Sequence, residues 1–85
     1  MLTKEAVRER IEAELPGAEV TVEDLTGTGD HFRVQVVAGA FAGKSTLARH
    51  RLVYGTLRDV LDTGSMHALA LSTHTPEEKG QEAHS

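Results

Sequence analysis

Apolar side chains recur along this chain with two different periods, and each change of period marks the boundary of an element. In the first stretch Val7, Ile11 and Leu15 are spaced every four residues, and charged residues fill the positions between them. This spacing is typical of a helix that buries one face. Thr3 is placed to cap the first turn, so the pattern predicts a helix over 4–14.

Two runs of strictly alternating residues follow, and each predicts a half-buried strand. The first run covers 19–23 and the second covers 32–38. The apolar residues of the second run share one face: Phe32, Val34, Val36 and Ala38. Because a short, glycine-rich stretch at 26–30 joins the two runs, the sequence predicts an antiparallel hairpin.

A helical period returns after a turn with a glycine at each end, 39–43. Ser45 or Thr46 can cap this helical region, which begins at Leu47. Its strongest signal is the helical spacing of four apolar residues: Val53, Leu57, Val60 and Leu61. Gly64 is placed to end the region. The pattern therefore predicts a long helical segment between the second strand and the remaining apolar run.

The last apolar run covers 66–73 and carries apolar residues on both of its faces. Such a run predicts a strand that is covered on both sides or lies at the centre of its sheet. A proline ends the run, and the polar residues 77–85 that follow predict a flexible tail. The folded domain is therefore expected to occupy 1–76.

The order of the predicted elements is helix, strand, strand, helical region, strand. A helical crossover of about 25 residues joins the second strand to the third, and such crossovers link parallel neighbours with a right-handed connection. Parallel strands begin at the same edge of a sheet. Because His31 and His67 open these two strands, we expect them to lie near one another, beside the loop 26–30.

Composition limits the classes of function that this chain can have. Its 85 residues and formal net charge of −4 allow one small domain, and 39% hydrophobic residues predict a packed core. The absence of cysteine excludes thiolate nucleophiles and a self-sufficient iron–sulfur cluster. No secretory signal or membrane-spanning run is present, so we expect a cytoplasmic protein. The sequence contains no recognisable set of catalytic residues, and we expect that the protein is not an enzyme.

Charge is distributed unevenly along the chain. Acids dominate before Lys44, whereas the stretch from Lys44 to Arg58 holds four cations and no acid. Three readings fit this block: solvated helix cations, a docking face for an acidic partner, or a nucleic-acid surface. Neighbours in a helix point in different directions, so the run 49–51 cannot form one clamp. The candidate partner-binding or nucleic-acid-binding residues are Lys44, Arg49, His50, Arg51 and Arg58.

Two motifs suggest ligand chemistry. The run 39–45 resembles a phosphate-binding loop, but three residues rather than four separate its glycines, so a turn with a capping serine is the better interpretation. His31 and His67 are candidate metal ligands, because imidazole binds iron, zinc and copper. Asp30 could add an oxygen ligand. Two histidines without cysteine do not complete a tight site, which favours a half-site that a partner completes over purely structural histidines.

Five blocks of the sequence, in this order, resemble the signature of the BolA-like family: 31–37, 41–44, 49–54, 67–71 and 73–77. The resemblance extends over about 3–78 and implies an α+β fold similar to a class II KH domain. Its order would be helix, strand, strand, helix, helix, strand. The sheet would have three strands in mixed orientation, with the helices on one face. The resemblance also implies that the helical region is two helices that break near His50.

The resemblance implies a function as an adaptor that pairs with a monothiol glutaredoxin. Such a pair can hold a bridging [2Fe–2S] cluster in iron–sulfur trafficking or iron sensing, with a cysteine and a glutathione thiol from the glutaredoxin side. The family histidine that opens the last strand corresponds to His67. A second ligand comes from the first strand–strand loop, which here holds neither His nor Cys, so His31 or Asp30 would replace it.

Some BolA-like proteins are described as DNA-binding transcriptional regulators, which gives the alternative function. It would use the basic, KH-like helical face, although the GxxG motif of nucleic-acid-binding KH domains is absent here. For the isolated chain we expect no cofactor, no membrane association, and a monomer or weak homodimer.

Overall fold

A computed structural model gives the structure of residues 2–64 and 66–83. The elements are α1 (Lys4–Glu14), β1 (Glu19–Asp24), β2 (His31–Val37), α2 (Thr46–Thr56), α3 (Arg58–Asp62), β3 (Ala68–His74) and α4 (Pro76–Ala83). A short 3-10 turn, Gly39–Phe41, lies between β2 and α2. The predicted order is confirmed, and one further helix, α4, follows it.

The three strands form one mixed sheet in the order β1-β2-β3. β1 pairs with β2 in antiparallel orientation, with Glu19 opposite Val37, and this confirms the predicted hairpin. β2 pairs with β3 in parallel orientation, with His31 opposite Ala68, and this confirms the crossover. The register sets the beginnings of β2 and β3 side by side. The α+β class is confirmed, and the relation to KH domains stays a prediction.

The prediction that the last strand is covered or central is wrong, because β3 lies at the edge of the sheet. Ala68, Ala70 and Ser72 are exposed, while the residues between them are partly buried. The outer positions hold alanine and serine, and such short side chains need no covering layer. Counting the alanines as apolar predicted that this face would be buried, but side chains this small do not require burial.

The hydrophobic core lies on one face of the sheet, beneath α1, α2 and α3. β2 contributes its inward side chains, and Phe32, Val34 and Val36 are completely buried. The three helices and the residue between α2 and α3 add apolar side chains from the spacings that predict them: Val7, Ile11, Val53, Leu57 and Val60. The prediction that the helices share one face is confirmed for these three.

The termini of the helices follow from local hydrogen bonds. Thr3 caps α1, since its hydroxyl accepts a bond of 3.1 Å from the backbone N–H of Ala6. Ser45 caps α2 in the same way, with a bond of 3.2 Å from the N–H of Ala48. Both capping residues are among those expected from the sequence. Each cap satisfies a backbone donor that the first turn of a helix leaves free.

The break between α2 and α3 lies at Leu57, so the prediction of a break near His50 is wrong. Leu57 has φ −112° and ψ 9°, outside the helical region, and its N–H donates to the carbonyl of Tyr54. Just before it, the Thr56 hydroxyl donates to the carbonyl of Val53 over 2.7 Å and competes with the helical bond. The side chain of Leu57 is completely buried, so the break occurs where the chain turns an apolar residue into the core.

Residues 77–83, which the sequence predicts to be part of a flexible tail, belong to α4, and residues 84 and 85 lie outside the described residues. Thr75 and Glu78 form a capping box. The N–H of Glu78 donates to the Thr75 hydroxyl over 3.2 Å, and the N–H of Thr75 donates to the Glu78 carboxylate over 3.1 Å. This T-x-x-E spacing is a known helix start that could have been recognised in the sequence.

Glu78 also connects α4 to α2, and this contact predicts a dependence of stability on acid. Its hydrogen bonds with Arg49, and then with the N–H of Thr75, lower the pKa of Glu78 from its ordinary value of 4.5 to about 2. Because the folded-state pKa is the lower one, the stabilisation is complete above pH 4.5 and is lost as the pH falls towards 2. Glu78→Gln should therefore lose less stability than the wild type in that range, as measured by thermal unfolding at several pH values.

Glu77→Gln provides the matched control for this acid effect. Glu77 precedes Glu78 in the first turn of α4, so both variants remove one carboxylate from the same turn. The control should keep the pH dependence of the wild type. If both variants showed the same dependence as the wild type, the Arg49–Glu78 contact would not contribute to stability.

Candidate functional site

The parallel pairing of β2 with β3 brings His31 and His67 together. The N–H groups of His67 and Ala68 both donate to the backbone carbonyl of Asp30, over 2.7 Å and 3.2 Å. These bonds hold the entry to β3 beside the start of β2. The imidazole centroids lie 6.1 Å apart, with the rings inclined at 79°. The predicted proximity is confirmed, and the role of these histidines as ligands stays a prediction.

The loop between β1 and β2 folds around one carboxylate. Asp24 accepts bonds from the N–H groups of Thr26, Gly27 and Gly29 over 3.3 Å, 2.9 Å and 3.0 Å. Gly27 and Gly29 have φ of 74° and 76°, a conformation that residues with a side chain rarely adopt. The loop is therefore compact, and its conformation depends on these glycines.

The compact loop presents Asp30 to both imidazoles. One oxygen, Oδ1, lies 2.9 Å from Nδ1 of His31 and accepts hydrogen bonds from the hydroxyls of Thr26, at 3.1 Å, and Thr28. The other oxygen, Oδ2, lies 3.2 Å from Nδ1 of His67. The Thr28 hydroxyl, and then His31, hold the pKa of Asp30 far below its ordinary value. Both rings thus face an ionised carboxylate through Nδ1.

These contacts identify the atoms that remain for an external ligand. The side chains of His31 and His67 are 41% and 62% exposed, whereas that of Asp30 is 28% exposed. Nε2 is the nitrogen of each ring that the Asp30 contacts leave unused. A shallow depression of about 520 Å³ opens beside His67, with Thr28 and Val60 in its wall. An external group can therefore approach His67 from this side.

The described part of the chain contains no group of three or more histidines, cysteines or acids arranged to hold a metal ion. What it offers is a pair of imidazoles with a carboxylate behind them. Two histidines on one iron are a known ligand set for a [2Fe–2S] cluster whose other iron is held by sulfur. The residues present therefore fit one half of a cluster site and not a whole one.

Arg49 is engaged within the chain, although it is one of the predicted partner-binding residues. Its guanidinium donates to Glu78 through two bonds of 2.7 Å and 3.1 Å, and its Nε donates to the carbonyl of Lys44 over 3.0 Å. It also lies 5.9 Å from the ring centroid of Phe41. With its side chain only 12% exposed, Arg49 joins α2 to α4 through contacts within the chain.

The other predicted cations lie on an exposed surface that we call the α2 face. It consists of Lys44, Leu47, Arg51, Tyr54 and Arg58. Within 2–64 and 66–83, none of its three cations forms an ion pair. Leu47 is 60% exposed and Tyr54 is 38% exposed, so apolar groups alternate with the cations. His50 borders this surface, half-buried, with its ring centroid 6.3 Å from that of Tyr54.

Residues 6–78 match the model of the family described as BolA-like protein, and the chain belongs to that family. It is 41% identical over 83 residues to the "DNA-binding transcriptional regulator BolA" of Escherichia coli, covering 85% of this chain and 78% of that protein. It is also 39% identical over 87 residues to "SufE-like protein 1, chloroplastic/mitochondrial" of Arabidopsis thaliana, covering 85% of this chain and 23% of that protein. The resemblance inferred from the sequence blocks is confirmed.

A solved structure, BolA1 from Arabidopsis thaliana, has the same fold. Its TM-score is 0.80 at 39% identity, over 88% of this chain and 93% of that chain. The chain spans about half the length of several further curated relatives. No helix in the described residues is both long and apolar enough to cross a bilayer. The cytoplasmic location stays a prediction.

Proposed function

We propose that this chain is a non-enzymatic adaptor that binds a monothiol glutaredoxin and helps to hold or transfer a bridging [2Fe–2S] cluster. The observation that carries the proposal is the exposed pair formed by His31 and His67, which lies at one edge of a BolA-like fold. The pair is too small to hold a metal alone, and a chain without cysteine needs sulfur ligands from elsewhere. A partner with thiol ligands would complete the site.

His67 would be the first ligand, and the contacts of Asp30 favour His31 over Asp30 as the second. Oδ1 of Asp30 already accepts hydrogen bonds from the chain and Oδ2 lies 3.2 Å from Nδ1 of His67, whereas the contacts of Asp30 leave one nitrogen of each imidazole unused. A bound cluster would supply the iron and sulfide that an acceptor protein receives. The residues of this chain would orient the imidazoles and keep them exposed on one side.

The α2 face would dock the partner. Its unpaired cations suit an acidic protein surface, and its exposed Leu47 and Tyr54 suit apolar groups on that surface. The predicted partner-binding residues that would contact the partner are therefore Lys44, Arg51 and Arg58, with His50 at the border of the surface. Arg49 would not take part in docking. The chain alone would carry no cofactor and would be a monomer or weak homodimer.

Anaerobic co-purification tests this function. The full chain is mixed with a monothiol glutaredoxin, glutathione, iron and sulfide, and the products are separated by gel filtration. We expect a heterocomplex whose visible absorption shows a [2Fe–2S] cluster, and no such absorption for this chain alone. If the two proteins eluted separately under all these conditions, the proposed function would be wrong.

Reversing charge on the α2 face should weaken the heterocomplex. Arg51→Glu places a negative group at the centre of this face. We expect it to raise the Kd for glutaredoxin about tenfold, and we expect this effect to be smaller at high salt. Calorimetric titration at two salt concentrations measures both effects. Arg8→Glu is the matched control, because it makes the same charge change on α1, where Arg8 pairs with Glu12. Equal Kd values for both variants would assign docking to another surface.

DNA binding is the second candidate, and two observations favour it. The relative from Escherichia coli is named a DNA-binding transcriptional regulator, and the three cations of the α2 face form no ion pair within the described chain. If its three cations contact phosphates, the logarithm of affinity should fall with the logarithm of salt concentration with a slope of about −2.7. Fluorescence anisotropy with labelled duplex DNA measures this slope. No detectable binding at low salt would eliminate this candidate.

A further inference from the structure

The carboxylate of Asp30 lies between the two imidazoles and uses a separate oxygen for each ring. Oδ1 is 2.9 Å from Nδ1 of His31, and Oδ2 is 3.2 Å from Nδ1 of His67. We propose that Asp30 is a positioning residue that keeps both neutral imidazoles protonated at Nδ1, so that both Nε2 atoms present their lone pairs outward. The use of these lone pairs as cluster ligands rests on the proposed function.

The chemistry of the three side chains leads to this assignment. A neutral imidazole carries one N–H, and only its other nitrogen can donate a lone pair to a metal. An ionised carboxylate has acceptors and no donor, so a ring that faces it through Nδ1 does so best with a proton on Nδ1. Asp30 is within hydrogen-bonding distance of Nδ1 of His31, and its other oxygen lies 3.2 Å from Nδ1 of His67. Its negative charge therefore favours a proton on Nδ1 in both rings.

The surrounding loop fixes Asp30 in this role. Hydroxyl groups of Thr26 and Thr28 both donate to Oδ1, and the loop that carries them is closed by the carboxylate of Asp24. Binding a metal directly would require Asp30 to give up some of these bonds. A carboxylate behind a metal-binding histidine is a common second layer in metal sites, where it orients the ring and fixes its tautomer.

A purely structural role for Asp30 can be separated from the positioning role. The backbone carbonyl of Asp30 accepts the N–H groups of His67 and Ala68, and these bonds hold the entry to β3. Every substitution of the side chain keeps that carbonyl. A change in the Asp30 side chain can therefore alter the tautomers without removing the bonds that join the strands.

Nitrogen NMR of the full chain tests the proposal directly. Correlations between the ring protons and ring nitrogens distinguish the two tautomers of ¹⁵N-labelled histidine, at a pH where the imidazoles are neutral. In the wild type we expect His31 and His67 to be protonated at Nδ1 and free at Nε2. A proton on Nε2 of either neutral ring would overturn the proposal, and this result requires no variant.

Asp30→Asn provides the sharper test, because asparagine has nearly the same shape but offers one acceptor oxygen and one donor amide group. It can accept from only one ring, so we expect one histidine to keep its tautomer and the other to become protonated at Nε2. Glu23→Gln is the control: Glu23 pairs with Arg33 at the surface and should leave both tautomers unchanged. Unchanged tautomers in Asp30→Asn would also overturn the proposal.

A second readout connects the positioning role to the cluster. In the heterocomplex with glutaredoxin, Asp30→Asn should release iron to a chelator about tenfold faster than the wild type, as is typical when the group behind a ligand is lost. The two proposals can fail independently. If the tautomers follow the expectation but no wild-type cluster forms, the proposed function fails and the positioning role stands. If the cluster forms and the tautomers do not respond, the positioning role fails.

Discussion

Replacing His67 with alanine is expected to remove most of the visible absorption of the heterocomplex with glutaredoxin. His67 stands at the entry to β3 with a side chain that is 62% exposed, and it has no neighbouring thiolate that could replace it. Loss of a group that merely orients a metal ligand costs about 10–100-fold in affinity, so loss of the ligand itself should cost at least as much. Absorption per mole of complex, after anaerobic gel filtration, measures the effect.

Two further variants define what this result means. His74→Ala removes an imidazole from the other end of β3, beside Val37, and should keep the absorption. His31→Ala distinguishes the candidates for the second ligand: if it loses the cluster as His67→Ala does, His31 is a ligand. An unchanged spectrum in His67→Ala, with the complex intact, would show that the ligand assignment is wrong.

Replacing Phe41 with alanine is expected to destabilise the fold by about 3–5 kcal/mol. Phe41 ends the 3-10 turn after β2, its side chain is completely buried, and the guanidinium of Arg49 lies over its ring. Domains of this size have a free energy of unfolding of roughly 4–13 kcal/mol, so the loss is a large part of the total. The melting temperature should fall by at least about 12 °C.

Urea denaturation followed by circular dichroism measures this loss. Leu47→Ala is the matched control, because Leu47 is also a large apolar residue close to the start of α2 but is 60% exposed. Its free energy of unfolding should change by no more than about 0.5 kcal/mol. A similar small change for Phe41→Ala would mean that the core closes around the lost ring.

Much of the fold could be predicted because the two periods of the sequence are clear. The four-residue spacing of Val7, Ile11 and Leu15 identified α1, and strict alternation identified β1 and β2. The length of the crossover then predicted the parallel pairing of β2 with β3. The proximity of His31 and His67 followed from topology alone, and the structure confirms it.

The errors arose where a local hydrogen bond or the size of a side chain decided the structure. The break at Leu57 depends on a hydroxyl that competes for a helical carbonyl, and apolar periodicity does not describe such a contact. The helix α4 depends on a capping box and on an ion pair with Arg49, a residue distant in sequence. The exposed face of β3 carries alanines, which count as apolar but bury little surface.

The position of Asp30 between the two rings could not be predicted from spacing. The sequence placed Asp30 next to His31 and suggested it as an oxygen ligand. Which way its carboxylate points depends on the loop conformation, which Asp24 and two glycines with positive φ determine. The hydrophobic period and the topology predict which residues lie at one edge of the sheet. The direction of a side chain in a compact loop depends on contacts that only the folded chain provides.

The parallel pairing of β2 with β3 also determines when the imidazole pair comes into existence. Its two members belong to strands separated by the whole of α2 and α3, so closing that long loop is an entropic cost that must be met before the rings can meet. A partly folded chain, with β3 undocked, has two isolated histidines and no chelating pair. A ligand that needs both imidazoles could therefore bind only after β3 has docked beside β2.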